Sequence, residues 1–468
     1  MNTPRSANRN WTVIRPGRSG LSKLAGAANV ILLAFGLCSC RPSSPEPVTV
    51  TFLDPPWLHD SNTSTSGLSG SLRERRLILD AAFQEFTQRT GIRVKHLPTP
   101  ESPQDQLALI RNLLQKGAVT PDVYDLDVIW PGILSEYLID LKPYFISELR
   151  SEAPEMLASY TVQGKVVGIP YRPYAGVLFY RTDLLRKYGY DRPPRTWDEL
   201  EKMAFRIQKG ERAKGEKDFW GFVWPGAAAE GLVCNALEWQ VDEGGGRIIE
   251  DNGKISVNNP ATIRAWERAT RWVGWISPPS VTSYQELDAG NIFWISGRAA
   301  FFRGWATNEF LRNPPGVPFR DKAGVTSVPG GKTGRADTLG GFGLGVSRWS
   351  AHRPEAIKLV EFLTHREAQL EAVQSHSEIP TRPEAYELPT ILKAYTRPGN
   401  QDEELAGKIV VRPSSITGKK YDDVAQAYIR AVHSVLTRES KAPEAAAALE
   451  KKLVEITGFE TETPPKEF

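Results

Sequence analysis

Cysteine is almost missing from this 468-residue chain: Cys38, Cys40 and Cys234 are the three present. That scarcity rules out a disulfide framework and a cysteine-rich metal site. The six histidines lie apart, at 59, 96, 352, 365, 376 and 433, with no HExxH and no paired ligand spacing, so no zinc pattern is legible. Asp122, Asp125 and Asp127 lack the central glycine and distal glutamate of a calcium loop. There is no GxSxG. The segment TSVPGGKT (326–333) has Thr326 where a phosphate-binding loop needs glycine, and GFGLG (341–345) is not GxGxxG. No metal and no cofactor is therefore expected. A carboxylate pair that hydrolyses a glycoside meets only in three dimensions, so spacing leaves that reading open.

Charge of one sign is also lacking. The chain carries 58 basic and 55 acidic residues, a net +3. Five of the basic residues (Arg5, Arg9, Arg15, Arg18 and Lys23) and no acidic ones fall in the first 40 residues, so the remainder is near −2. Nothing electrostatic points to nucleic acid. After residue 40 no apolar run is long enough to span a membrane. The basic start is followed by LAGAANVILLAFGLCSC (24–40), whose apolar run of roughly 14 residues is short of the about 20 a span requires. A basic region, a short apolar region and small residues before a cut make a secretory signal. The end of this run resembles the lipobox of bacterial lipoproteins, with Cys40 as the lipidated residue because small Ser39 precedes it. The expectation is a signal peptide over 1–39, a lipid on Cys40, a Pro/Ser tether over 40–47 and an extracytoplasmic protein held to a membrane. Cys234, then alone, reads as a small core residue.

Aromatic residues are plentiful, with 13 Trp, 14 Tyr and 18 Phe. Most belong in a core, but surplus Trp and Tyr can act as flat platforms for ligands with one apolar face and polar edges, as sugars have. Along the chain, 48–53 reads as a strand, 54–71 as a loop, and 72–90 as a helix with Leu79, Ala82, Phe83 and Phe86 on one face and Gly91 at its end. Then come a strand at 92–96, a helix at 104–116 ended by Gly117, and a strand at 122–128. This β-α-β-α-β order implies a parallel, doubly wound sheet. Further on, 177–180 and 299–302 read as strands. Helices are expected at 183–188, 197–209 (with Thr196 and Glu199 as a capping box), 260–272 after Asn258-Asn259, 354–363, 421–436 and 443–456. About 429 residues after the leader suffice for two or three domains.

Six runs resemble family 1 extracellular solute-binding proteins: PDVYDLDVIWPGILSEYLIDL (121–141), GKVVGIPYRPYAGVLFYRTDLLRKYGY (164–190), WGFVWPGAAAEGLVCNALEW (220–239), GRAAFFRGW (297–305), TLGGFGLGVS (338–347) and EFLTHREAQ (361–369). Within that family the chain resembles the trehalose/maltose-binding branch, over nearly all of 48–458. The resemblance implies an α/β periplasmic-binding-protein fold like that of maltose-binding protein: two lobes, each a doubly wound sheet, with a three-segment hinge near 170–173, 340–343 and 383–391. Lobe I would comprise 48–171 plus 342–388, and lobe II 172–341 plus 389–468. It implies a monomer without catalytic activity that captures a di- or oligosaccharide and delivers it to an ABC permease in the cytoplasmic membrane. Carried over residue by residue, Asp127 matches an acceptor of sugar hydroxyls and Trp305 a ring that stacks on a sugar. Gly341 and Phe342 match a Gly-aromatic pair that more often has Trp second, and Arg412 an Arg that forks onto hydroxyls. In RPYAG (172–176), Tyr174 stands where the branch often has Asp or Asn, with Arg172 just before it. Glu74 and Glu286 are further matches to cleft carboxylates. The sequence also admits a charged or phosphorylated ligand, which Arg172 would suit, a sensory binding protein, and an extracytoplasmic glycosidase.

Overall fold

The computed structural model describes residues 46–54, 69–100, 102–305, 319, 322–365 and 408–462. The leader, Cys40 and most of the tether, the loop at 55–68 and the expected third hinge crossing at 383–391 lie outside the described residues. By compactness the chain divides after Glu46, and Pro47–Phe468 is the unit described below.

Nine strands build its main sheet: β1 (Thr49–Asp54), β2 (Arg93–Pro98), β3 (Val123–Asp127), β4 (Ile169–Arg181), β5 (Trp220–Val223), β6 (Ala299–Trp305), β7 (Ala323–Ser327), β8 (Ala336–Val346) and β9 (Lys408–Val410). Their order is β2-β1-β3-β8-β4-β6-β5, with β9 on β8 and β7 on β4. β1 pairs in parallel with both β2 and β3, as expected for β-α-β units. The purely parallel expectation stops there, because β8 runs antiparallel to both β3 and β4. β8 comes from the far part of the sheet as one extended segment, so no crossover helix is needed to insert it.

Two strands are shared between the two parts of this sheet. The first part of β4 pairs with β8 up to Ala175↔Leu339, while its later residues 176–181 lie between β6 and β7. β8 begins beside β9 and ends between β3 and β4. The register shifts between Phe342 and Gly343, so β8 bends where it passes from one part to the other.

Among the described residues, eight long helices cover the sheet: α1 (Ser69–Thr90), α2 (Pro103–Gln115), α3 (Trp197–Ala213), α4 (Glu230–Asp242), α5 (Pro260–Trp272), α6 (Arg353–Thr364), α7 (Tyr421–Leu436) and α8 (Ala442–Thr457). Helix α1 starts three residues earlier than its apolar pattern does, and buries Leu79, Phe83 and Phe86 against Phe52, Val123 and Leu344. It stops at Gly91, whose φ of 73° suits the left-handed turn that ends a helix. Asn259 caps α5 by accepting from the N–H groups of Ala261 and Thr262. The capping box at α3 is only half formed. Thr196 Oγ accepts from Glu199 N–H at 3.2 Å, but the Glu199 carboxylate takes Arg195 N–H and a two-pronged Arg192 instead of returning to residue 196. Arg192, followed by two prolines, competes with the cap as a charge-assisted donor.

Tryptophan is used mainly as core. Trp197, Trp224, Trp239 and Trp272 pack edge to face or tilted around one another, with centroids 5.1–6.5 Å apart. Cys234 is buried in the same region. Among the described residues, no helix is long and apolar enough to cross a membrane.

Candidate functional site

A cavity of about 660 Å³ opens where the strand order turns from β3 to β8 and β4. In α/β sheets ligands often bind beyond the carboxyl ends of strands, and β3 and β6 both end at this cavity, with Asp127 and Trp305. Asp127 is the last residue of β3, with Phe342 of β8 as its register partner. The first four residues of β3 are buried, which anchors the strand and delivers Asp127 to the cavity edge. Its Oδ1 accepts from Ile129 N–H at 3.1 Å and closes a local turn.

β8 supplies the cavity floor through Gly340, Gly341 and Phe342. Gly341 has φ 117°, and a Cβ there would stand 2.1 Å from the Arg172 carbonyl oxygen. Its own carbonyl accepts from Val128 N–H at 3.0 Å. Only glycine combines that dihedral with that approach. Phe342 meets Tyr174 edge to face at 6.1 Å. Trp305, the last residue of β6, lines the cavity, and its ring edge crosses Gly340 so closely that a Cβ there would lie 2.7 Å from Cζ3.

Arg412, two residues beyond β9, is buried and sits among acceptors. Its Nη1 donates to Glu230 Oε1 at 2.9 Å, its Nη2 donates to the Leu339 carbonyl at 3.2 Å, and Nη2 is 3.9 Å from Asp127 Oδ1. Tyr421, the first residue of α7, donates its hydroxyl to the same Glu230 oxygen at 2.5 Å. Burial raises the carboxyl pKa of both Asp127 and Glu230, and the Arg412 guanidinium opposes the rise. Burial works against the Arg412 charge, but the ionisable groups around it, Cys234, Tyr421, Glu230 and Asp127, more than offset it and hold its pKa well above the usual value. Two partly buried carboxylates and one buried guanidinium thus form an acceptor–donor set beside an aromatic wall.

Of the sequence-derived candidates, Asp127, Trp305, Gly341, Phe342, Arg412, Tyr174 and Glu286 line this cavity together. Arg172 does not. Its guanidinium pairs with the buried carboxylate of Asp125 and stacks near the Tyr171 and Phe342 rings, at 5.1 and 5.2 Å. Phe342 separates Arg172 from Asp127 in the register, and Asp125, a buried acid two residues before Asp127 on β3, captures the guanidinium. Glu74 lies in the first part of α1, where its side chain is outside the described residues. Glu230 and Tyr421 were not singled out from sequence. Glu230 lies inside the run WPGAAAEGLVCNALEW already noted, and an acid opening a helix beside three alanines was the available signal. Asp122 is bound by Thr51 and Ser350, and among the described residues no group of ligands is placed to hold a metal.

A model of the bacterial extracellular solute-binding protein family matches residues 69–370. The chain belongs to that family. A probable ABC transporter-binding protein of Deinococcus radiodurans is 40% identical over 375 residues, covering 80% of this chain and 89% of the relative. Maltose-bound MalE3 of Thermotoga maritima aligns with TM-score 0.73 and 33% identity, over 87% of this chain and all of that one. The GacH receptor of Streptomyces glaucescens aligns with TM-score 0.71 at 21% identity over 89% of this chain and all of that chain, a likeness of fold. This solute-binding protein therefore has the maltose-binding-protein-like α/β fold, works outside the cytoplasm with an ABC transporter, and is not an enzyme. Such proteins capture ligand by closing two lobes about a hinge.

Proposed function

We propose that this chain captures a neutral di- or oligosaccharide, of the maltose or trehalose kind, in the cavity around Asp127, Glu230, Arg412, Tyr174 and Trp305. It then presents the sugar to an ABC permease in the cytoplasmic membrane, as a monomer tethered by a lipid on Cys40. The lobes are those expected from the sequence, 48–171 plus 342–388 and 172–341 plus 389–468, closing by twisting of β4 and β8. The observation that carries the reading is the pairing of an aromatic wall with partly buried, ionisable acceptors held by one guanidinium. Sugar C–H faces stack on such rings, and sugar hydroxyls donate to such carboxylates. The maltose named for the Thermotoga protein and the maltodextrin named for a Bacillus subtilis relative, 24% identical over 253 residues, support the same class.

The cavity chemistry weighs against a phosphorylated or acidic ligand. Its lining has the carboxylates Asp127, Glu230, Glu286 and Asp422 against the guanidiniums Arg111 and Arg412, a formal excess of negative charge. Arg111 already pairs with Asp422, and Arg172, the cation that suited an anion, is taken by Asp125. The test is thermal unfolding of a 41–468 protein against disaccharides, polyols and sugar phosphates. A ligand at a hundredfold excess over its dissociation constant stabilises by about 2.7 kcal/mol. A raised midpoint with maltose or trehalose supports the reading. A rise only with sugar phosphates overturns it.

A further inference from the structure

Directly behind Trp305 lies an ion pair that touches neither the cavity nor solvent. Arg303 and Glu238 have side chains 1% and 0% exposed. Arg303 Nε donates to Glu238 Oε2 at 3.0 Å, and Nη2 donates to Oε1 at 2.5 Å. Glu238 Oε1 also accepts from Thr338 N–H at 3.1 Å, which ties it to β8. Arg303 and Trp305 stand two apart on β6 and so share a face. The guanidinium carbon of Arg303 lies over the Trp305 ring, 4.4 Å from its centroid. Gly176, the register partner of Trp305, leaves the space: a Cβ on it would stand 2.1 Å from Glu238 Oε1 and 2.4 Å from Arg303 Nη2.

Stability alone gives no reason for this arrangement. Desolvating two charges is costly, and apolar residues of similar volume often serve a core as well or better. What an apolar residue does not supply is a flat, rigid fork that stacks on an indole while its Nε and Nη2 edge is held by one carboxylate. We infer that the Arg303–Glu238 pair is a positioning element for Trp305, fixing its ring as a preformed ligand platform and thereby setting ligand affinity. Gly340 completes the seat, because its missing side chain admits the ring edge. The chain of fixation runs from the Thr338 amide through Glu238 and Arg303 to the indole. A ring already held in its bound orientation loses less freedom when ligand arrives. The inference rests on the reading that Trp305 faces the ligand.

The test is a double-mutant cycle with maltose as the probe, read by calorimetry on wild type, R303M/E238Q, W305L and the triple variant. Removing both charges together avoids leaving one of them buried and unpaired. The expected result is about a three- to tenfold loss for R303M/E238Q when Trp305 is present, and little further loss in the W305L background. A merely structural role would weaken binding equally in both backgrounds, and that additivity would overturn the inference. If R303M/E238Q does not fold, R303K carries the same cycle, because it keeps the charge and loses the flat fork. A ligand-free measurement separates this inference from the sugar reading. The emission of Trp305, taken as the difference between spectra with and without W305F, should shift when the pair is replaced. An unchanged difference spectrum overturns the positioning role whatever the ligand proves to be, whereas absence of maltose and trehalose binding by wild type counts against the sugar reading alone.

Discussion

Replacing Asp127 by asparagine separates binding from folding more cleanly than truncating it. The substitution is nearly isosteric and keeps an oxygen at Oδ1, so the 3.1 Å bond from Ile129 N–H and the turn it closes survive. What disappears is the negative charge facing the cavity. A hydrogen bond to a charged group contributes about 1.5–3 kcal/mol, so affinity should fall roughly tenfold to a hundredfold, with 1.4 kcal/mol equal to a factor of ten. Stability should move the other way. Burial raises the Asp127 pKa despite the opposing Arg412 charge, which means folding favours the uncharged side chain. The permanently neutral amide in D127N therefore leaves the ligand-free midpoint at neutral pH unchanged or higher. D127A loses the bond to Ile129 as well, a net cost of about 0.5–1.5 kcal/mol, so it should lower the midpoint while losing similar affinity. Calorimetry with maltose and thermal unfolding of wild type, D127N and D127A read both quantities. Wild-type affinity in D127N would refute the role of Asp127 as a ligand acceptor, and a midpoint as low as that of D127A would refute the account of the turn.

Three more outcomes follow from the geometry. Acidification should weaken sugar binding, because the raised pKa values of Asp127 and Glu230 bring their protonation closer to neutral pH and remove the acceptors. The same two groups stabilise the ligand-free fold as pH falls from their raised folded values to their ordinary ones, so a titration in which affinity and apo stability fall in parallel through that window would contradict the assignment. Gly340→Ala should displace the Trp305 ring and reduce affinity with a modest change in midpoint. Gly341→Ala, which meets the backbone oxygen of Arg172 at a φ of 117°, should lower the midpoint strongly, and equal midpoints for the two would be inconsistent with the close approach. Finally, Arg111 on α2 and Asp422 on α7 form a 2.5 Å ion pair at the rim of the cavity, each side chain more than a third exposed. R111Q should lower affinity by no more than about fivefold, the scale of an exposed pair, and the difference from wild type should vanish in about 1 M salt, where the screening length is only about 3 Å. Persistence at high salt would show that the pair does not act through charge.

Most of the scaffold was legible because its signals are local. The run Leu79–Phe83–Phe86, the Asn259 cap and the β-α-β order each act within a few residues, and each appears as read. The antiparallel insertion of β8 was not legible, since pairing direction depends on where a distant segment returns. Asp127, Trp305 and the Gly341–Phe342 pair, each proposed from a motif on one strand, come together at the cavity. Glu230 and Tyr421 were not singled out because they reach the cavity only where α4 and α7 meet Arg412, 182 residues from Glu230 in the chain. Arg172 was assigned by position along its strand, and a buried partner on β3 decided its fate. The abundance of tryptophan was ambiguous by composition, and edge-to-face packing around Trp272 accounts for much of it.

The insertion of β8 between β3 and β4 has a consequence for how the chain acquires its structure. Asp122, just before β3, accepts from Ser350 just after β8, across 228 residues of sequence, and Ser414 reaches Val128 across 286. The first β-α-β units therefore cannot complete their sheet until most of the polypeptide has been made. Loop-closure entropy on this scale slows folding. The topology that places the cavity at the seam of the two sheet parts thus leaves the cavity among the last features that the chain can assemble.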